Sequence, residues 1–135
     1  MTAILKKILF VDDDEFQRKS LKKLLVMLGY NVEFAKNAKE ALEILEKEEF
    51  LLIITDLIMP EMDGIELCKR IREINSKAVV YAFSGHLVGV EFNHLEAIGF
   101  DGHLCKPVKI EVLERAIAGA FEKIDQRRVK IHTPL

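Results

Sequence analysis

Three short apolar runs dominate the hydrophobic pattern of this chain. They are rich in Ile, Val and Phe and span residues 8–11, 51–54 and 78–83. Their hydrophobicity is continuous rather than alternating, which is typical of strands buried on both faces of a parallel sheet. Two weaker runs, residues 31–35 and 102–105, predict two further strands.

Apolar residues recur at helical spacing in the segments between these runs. The first stripe covers residues 16–28 and meets a C-terminal stop at Gly29, and the second covers 38–45 with Asn37 as a candidate N-cap. Three more stripes lie within residues 65–74, 91–98 and 110–124. Strand and helix thus alternate five times, which predicts an α/β fold, a flavodoxin-like (βα)5 doubly wound parallel sheet with strand order 2-1-3-4-5.

Length and composition indicate one domain without a membrane segment. The 135 residues are 50% hydrophobic, and the net charge of −2 gives no reason to expect direct nucleic-acid binding. No apolar run approaches the roughly 20 residues of a membrane span, and the first residues do not resemble a signal peptide. Cys68 and Cys105 form neither a disulfide framework nor a metal-ligand pattern. We expect a cytoplasmic domain at residues 1–125, with 126–135 as a tail or the start of a linker.

Polar residues follow the predicted strands at their carboxyl ends. In this topology ligands bind beyond those ends, where the strand order reverses. The four segments concerned are Asp12-Asp13-Asp14, Thr55-Asp56, Ser84-Gly85 and Lys106-Pro107. Carboxylates, a hydroxyl and an ammonium group are therefore expected at one edge of the sheet.

The carboxylates Asp12, Asp13 and Asp56 restrict the chemistry of this edge. Two carboxylates about 5 Å apart repel by roughly 3 kcal/mol at an effective dielectric constant near 20, so the cluster needs a cation or a raised pKa. Carboxylate oxygens without His or Cys favour Mg²⁺, or Mn²⁺, over zinc. Such an ion also binds phosphate oxygens. The pattern predicts phosphate chemistry with a divalent metal.

At these residues the sequence resembles the response-regulator receiver family of two-component signalling, over nearly the whole chain to about Ile124. The specific stretches are residues 8–14, the string Thr55-Asp56-Leu57-Ile58-Met59-Pro60-Glu61-Met62-Asp63-Gly64, Ser84-Gly85 and Lys106-Pro107. The resemblance implies that Asp56 accepts a phosphoryl group from a phosphohistidine on a sensor histidine kinase or phosphotransfer protein. It also implies a domain that is not an enzyme in the usual sense, since it catalyses only its own phosphorylation and slow autodephosphorylation.

The resemblance further implies a role for each site residue. Asp13 would bind Mg²⁺ directly and Asp12 mainly through water, and Asp56 and the backbone carbonyl of Ile58 would complete the protein ligands. Ser84 would hydrogen-bond the phosphoryl group, and Lys106 would pair with Asp56 and then with the new phosphate.

Three further residues are expected to shape the site without touching the phosphate. Pro107 would follow a cis peptide bond that places the lysine. Pro60, after Met59, would rigidify the active loop, and Gly64 would serve a tight turn before the third helix.

The chain departs from the family on the output side. The aromatic switch residue of the family, three positions before the lysine, is replaced by His103, which would act beside Ser84 or respond to pH. Ile58 and His86 occupy positions that tune loss of the phosphoryl group, and an apolar Ile58 would shield the acyl phosphate and prolong the signal. Residues 85–99 match the family poorly.

The resemblance leaves the partners open. The kinase would dock near residues 16–28, and residues 86–121 would contact an unknown downstream protein or a missing effector domain. The protein would be a monomer or a phosphorylation-linked dimer.

Other classes of protein fit the sequence less well. One alternative is a degenerate receiver that acts as a phosphorylation-independent interaction module. A metal-dependent phosphatase would carry its nucleophile after the first strand in a different context. A flavodoxin-type electron carrier is disfavoured because three aspartates would repel flavin phosphate, and a P-loop NTPase is excluded by the missing glycine-rich motif.

Overall fold

The central sheet has the predicted topology. The computed structural model describes residues 6–85 and 89–132, with backbone alone at 89–91 and 128–132. Five parallel strands pair in the order β2-β1-β3-β4-β5. The strands are β1 (Lys7–Val11), β2 (Asn31–Ala35), β3 (Leu52–Asp56), β4 (Val79–Ser84) and β5 (Gly102–Cys105). The predicted flavodoxin-like strand order is therefore confirmed.

All five predicted helices are present. They are α1 (Glu15–Met27), α2 (Ala38–Lys47), α3 (Gly64–Ile74), α4 (Gly89–Ile98) and α5 (Ile110–His132). The last helix continues well past Ile124, where its apolar stripe ends. The guanidinium group of Arg127 donates hydrogen bonds to the carbonyls of Lys77 at 3.1 Å and Ala78 at 2.9 Å, so a polar anchor extends the contact of α5 with the domain. The division of the chain at residue 125 stays a prediction. Among the described residues, no helix has the length and apolar composition needed to cross a membrane.

Side chains of the central strands alternate between two apolar layers. Leu9 and Ile53 pack in a layer with α2, α3 and α4, whereas Phe10 and Ile54 pack on the opposite face with α1 and α5. Every residue of β3 is buried, because this strand is covered on both faces. The continuous apolar runs in the sequence have this physical origin.

Short polar side chains begin three of the helices. Asp14 Oδ1 accepts the N–H of Phe16 at 2.8 Å, and Asn37 Oδ1 accepts that of Glu40 at 2.7 Å, which confirms Asn37 as an N-cap. Asp63 begins α3 in the same way. Each such cap is worth about 1 kcal/mol. At the other end of α1, Gly29 has φ of +87°, a left-handed conformation that glycine adopts without steric cost.

A compact ionic cluster, here called the Asp101 cluster (Asp101, Arg72 and Arg127), lies at the end of the sheet where β4 and β5 begin. Asp101 Oδ2 accepts the N–H of Val80 at 2.9 Å and a hydrogen bond from Arg72 at 2.7 Å, while Oδ1 accepts one from Arg127. Arg72 belongs to α3 and Arg127 to α5, so one carboxylate joins helices from opposite faces of the sheet.

The two guanidinium groups also bind backbone carbonyls at this end of the sheet. Arg72 Nε donates to the carbonyl of Gly99 at 3.0 Å, and Arg127 Nη1 to that of Ala78 at 2.9 Å. The Asp101 cluster thus ties the connection before β5 to the start of β4.

The charge environment of Asp101 makes its ionisation a source of stability. Burial by itself would raise the pKa of Asp101, but the hydrogen bonds from Arg127 and Val80 and the charge of Arg72 outweigh burial and lower it. A folded-state pKa below the unfolded value of about 4 means that the stabilisation is fully present above that value. It is lost as the pH falls through the lowered folded-state pKa.

We expect Asp101→Asn to lower the free energy of unfolding by about 2 kcal/mol at pH 7, because the partly buried Arg72 and Arg127 lose charged hydrogen bonds and their counter-charge. The difference from wild type should shrink as the pH falls from about 4 through the lowered folded-state pKa of Asp101. Urea denaturation at pH 7 and near pH 3 measures both values. Asp125→Asn, the same chemical change at an exposed position of α5, should leave stability within about 0.5 kcal/mol. A loss at Asp101 that is independent of pH would contradict the ionic explanation.

Candidate acidic site at the carboxyl edge of the sheet

Strand pairing brings the polar segments of the sequence to one edge. Val11 pairs with Thr55, so Asp12, which follows β1, lies beside Asp56, the last residue of β3. Ser84 is the last residue of β4 and pairs with Cys105, directly before Lys106. The parallel arrangement therefore assembles the site from the ends of four strands.

Three carboxylates meet at this edge. Asp12, Asp13 and Asp56 each offer an oxygen atom, and these atoms lie within 4.8 Å of one another. Asp12 is fully buried, Asp56 is 8% exposed, and Asp13 lies at the surface. The expected convergence of these residues is present in the structure, whereas their individual roles stay predictions.

One ammonium group is shared by the two buried carboxylates. Lys106 Nζ lies 3.3 Å from Asp56 Oδ2 and 3.4 Å from Asp12 Oδ2. The same nitrogen lies 5.2 Å from the centre of the Phe83 ring, which limits the positions open to the lysine chain. With three carboxylates and one ammonium, the cluster keeps an excess of negative charge.

Asp12 is the group most affected by this imbalance. Burial raises its pKa, and repulsion from Asp56 acts in the same direction, while the N–H of Asp14 and the charge of Lys106 oppose the rise. Asp12 Oδ1 accepts the Asp14 N–H at 3.0 Å. Its other oxygen, Oδ2, is buried and has no hydrogen-bond partner among the described residues, although Lys106 lies in ionic contact.

A divalent cation with a preference for oxygen fits this set of donors. The buried Oδ2 of Asp12 is under-coordinated, and all three side chains present hard carboxylate oxygens, which favours Mg²⁺ or Mn²⁺. The sequence pattern predicted an acidic cluster at this edge, and the structure contains one that is a candidate metal site. Ile58 donates its N–H to Asp56 Oδ1 at 3.4 Å, and its carbonyl as a ligand stays a prediction.

Gly64 lies in close contact with the backbone of Asp56. A Cβ atom at this position would lie 2.1 Å from the carbonyl oxygen of Asp56, and the Gly64 N–H donates to the Leu57 carbonyl at 2.9 Å. This close contact accounts for glycine at position 64, and its expected role in a tight turn stays a prediction. In the loop before it, Pro60 is exposed and Glu61 has φ of 66°.

The remaining residues of the expected site lie around β5. The Lys106–Pro107 peptide bond is cis, as predicted. Ser84 is buried, and its carbonyl accepts the backbone N–H of Lys106 at 2.9 Å. The ring of His103 lies 4.4 Å, centre to centre, from that of Phe92 in α4. His86 lies outside the described residues.

Two contacts at the site were not predicted from the sequence. Arg18 Nη1 donates to the backbone carbonyl of Asp12 at 2.7 Å, and Phe92 packs on His103. A side chain that binds a backbone carbonyl belongs to no sequence motif. The position of Arg18 one turn into a helix that begins beside the acidic residues was the sole hint.

Fold and site together define a doubly wound α/β domain with an acidic cluster at the switch point of its sheet. The sequence pattern of the response regulator receiver domain matches residues 8–118, so the chain belongs to the response regulator receiver family of two-component signalling. Receiver domains are signalling domains rather than enzymes in the usual sense.

Individual relatives agree with this assignment. The chain is 32% identical over 121 residues to the sensor histidine kinase RcsC of Salmonella typhimurium, covering 90% of this chain and 13% of that protein. It is 34% identical over 124 residues to the probable transcriptional regulator ycf27 of Cyanidium caldarium, covering 92% of this chain and 49% of that protein. The chain therefore spans half or less of these two relatives.

A solved structure shares the whole architecture. The CheY-like receiver domain protein of Methanospirillum hungatei superimposes with a TM-score of 0.81 at 32% identity, covering 93% of this chain and 98% of that one. The similarity thus extends over nearly the complete domain.

We expect Gly64→Ala to destabilise the domain by about 2 kcal/mol or more, because the added Cβ would overlap the Asp56 backbone. Gly119→Ala is the matched control, since no atom beyond its chain neighbours and its own helix backbone lies within 4 Å of its Cβ position, and alanine favours a helix by about 0.5–1 kcal/mol. Urea denaturation should therefore give changes of opposite sign. Equal effects in both variants would contradict the close contact.

We expect Asp13→Asn to raise stability in EDTA by up to about 1 kcal/mol, because one of three mutually repelling carboxylates becomes neutral. The same variant should lose most of the stabilisation by Mg²⁺, which for the wild type amounts to about 2.7 kcal/mol at a concentration of 100 times Kd. Thermal melts in EDTA and at increasing Mg²⁺ concentrations test both parts. Unchanged stabilisation by Mg²⁺ would exclude Asp13 as a ligand.

Proposed function

We propose that this receiver domain accepts a phosphoryl group on Asp56, in a reaction that depends on Mg²⁺ or Mn²⁺, and thereby switches its output surface. The phosphoryl group would come from the phosphohistidine of a sensor histidine kinase or phosphotransfer protein. The observation that carries the proposal is the placement of Lys106 Nζ, 3.3 Å from Asp56 Oδ2 and 3.4 Å from Asp12 Oδ2. A cation so placed can follow negative charge as it moves from a carboxylate to a phosphoryl group.

Among the buried carboxylates, Asp56 is better suited than Asp12 to act as the nucleophile. Asp12 is fully buried and one of its oxygens is held by the Asp14 N–H. Asp56 is slightly exposed, and its Oδ1 accepts a long hydrogen bond of 3.4 Å from the N–H of Ile58. An approaching phosphorus atom can therefore reach Asp56.

The transfer itself exchanges one bond for another. A carboxylate oxygen of Asp56 forms a bond to phosphorus while the phosphorus–nitrogen bond of the phosphohistidine breaks. The imidazole nitrogen keeps the electron pair of the broken bond and takes a proton from water. The product is an acyl phosphate on Asp56.

The surrounding residues would stabilise the charge on the transferred group. Asp12 and Asp13 would hold the metal ion, with the Ile58 carbonyl as a further ligand. When bound, the ion neutralises charge on the phosphoryl oxygens. Lys106 would exchange the Asp56 carboxylate for the new phosphate, and the Ser84 hydroxyl would hydrogen-bond it.

Exposed apolar side chains near the site offer a docking surface for the phosphodonor protein. Phe16, in the first turn of α1, is 73% exposed and Ile58 is 81% exposed. Large exposed apolar side chains beside a functional site are typical of protein interfaces. This supports docking of the kinase at the start of α1. The proposed shielding of the acyl phosphate by Ile58 stays a prediction.

The output surface would comprise α4, β5 and the first half of α5. His103 lies on β5 and contacts Phe92 of α4. A movement of Lys106 at the end of β5 would therefore be passed through His103 to α4. The recipient would be a downstream protein or an effector domain, with a monomer or a phosphorylation-linked dimer as the active form.

We expect the intact mass to increase by one phosphoryl group when the protein is incubated with Mg²⁺ and acetyl phosphate. The increase should disappear in EDTA and in Asp56→Asn, and persist in Asp125→Asn, which carries the same change at an exposed position. An increase that persists in Asp56→Asn would place the acceptor elsewhere. No increase with acetyl phosphate or a phosphorylated kinase, in a folded protein that binds Mg²⁺, would favour the interaction-module alternative.

A further inference from the structure

Arg18 holds the backbone of the acidic segment from outside the cluster. It lies in α1, is partly buried, and donates from Nη1 to the carbonyl oxygen of Asp12 at 2.7 Å. That carbonyl belongs to the peptide group that joins Asp12 to Asp13. The orientation of this peptide group sets the directions in which the two carboxylates leave the chain.

Among residues 6–85 and 89–132, the other hydrogen bonds of Asp12 involve its N–H and its side chain and do not involve its carbonyl. The Asp12 N–H is bound to the Ala35 carbonyl at 3.1 Å, and Asp12 Oδ1 accepts the Asp14 N–H at 3.0 Å. The first bond fixes the backbone on the N-terminal side of Asp12, and the second fixes its side chain. Within the described part of the chain, the charged hydrogen bond from Arg18 is the contact that fixes the carbonyl of Asp12.

We propose that Arg18 is a positioning residue for the divalent-cation site. Its guanidinium group orients the Asp12–Asp13 peptide, and thereby holds the carboxylates of Asp12 and Asp13 in a geometry that binds the ion. This inference rests on the proposed function, because it assumes that the cluster binds Mg²⁺.

Electrostatics alone predicts the opposite effect of Arg18. A guanidinium group beside an acidic cluster repels an incoming metal ion, so removing its charge should strengthen binding. Loss of an outer partner that orients metal ligands weakens binding instead, typically 10- to 100-fold. The sign of the change in affinity therefore separates a positioning role from a charge effect.

Lys22 provides a matched control for the charge. It lies one turn beyond Arg18 in α1, is exposed, and lines the same surface depression with Phe34. Lys22→Gln removes one positive charge from the same face of the helix and does not alter the hydrogen bond to Asp12. We expect this variant to bind the ion as tightly as wild type or slightly more tightly.

The test measures metal affinity rather than phosphorylation. Mn²⁺ binding is followed by electron paramagnetic resonance of the free ion, with Mg²⁺ as competitor, in wild type, Arg18→Gln and Lys22→Gln. We expect about tenfold weaker binding of both ions in Arg18→Gln. Unchanged or tighter binding in Arg18→Gln, or equal weakening in both variants, overturns the inference.

Two further measurements distinguish a failure of the inference from unfolding of a variant and from a failure of the proposed function. Circular dichroism in EDTA establishes that each variant is folded, and if Arg18→Gln is unfolded, Arg18→Met is titrated in its place. A methionine keeps the aliphatic packing of the side chain but cannot donate a hydrogen bond to Asp12, so the same weakening is expected and wild-type affinity in it overturns the inference. If wild type binds neither ion, the proposed function and the inference fail together, whereas normal binding in wild type and in the Arg18 variant removes the inference alone.

Discussion

Two carboxylates lie side by side inside the carboxyl edge of the sheet, and they share one ammonium group. Asp12 and Asp56 are brought together because β1 and β3 pair in register, and Lys106 reaches both from the end of β5. Burial and mutual repulsion both disfavour this arrangement, as the raised pKa of Asp12 shows. The two apolar layers on the faces of the sheet supply the stability that holds the residues in place. The acidic site therefore lowers the stability of the domain locally, and the packing of the remainder of the fold offsets this loss.

At the opposite end of the sheet the imbalance is reversed, because several cations surround a single carboxylate. There one carboxylate, Asp101, faces guanidinium groups from α3 and α5, and its pKa is lowered rather than raised. The two ends thus use the same residue types with opposite results. An acid held between cations stabilises the fold, whereas acids in excess of cations form a candidate site for a metal ion. The contrast separates a structural ionic cluster from a candidate functional one within a single sheet.

Much of the fold and of the acidic site follows from the sequence. Continuous apolar runs identify buried parallel strands, and parallel strands present their carboxyl ends at one edge of the sheet. The sequence alone therefore predicts that Asp12, Asp56 and Lys106 lie close together. The contacts of Arg18 and Arg127 could not be predicted, because both side chains bind backbone carbonyls that lie outside their own helices. Such bonds depend on final distances and leave no periodic pattern. The same reason explains why α5 extends beyond its apolar stripe.

Under the proposed function, a simple comparison of energies constrains the switch. A hydrogen bond to a charged group contributes about 1.5–3 kcal/mol, whereas moving an equilibrium from 1:99 to 99:1 requires about 5.5 kcal/mol. An exchange of partners at Lys106 is therefore too small to switch the domain completely. A second contribution has to come from another group that binds the phosphate, and Ser84 is suited to this because its carbonyl already binds the Lys106 N–H. Since the two residues end neighbouring strands, one phosphoryl group can draw on both and move β5 against Phe92.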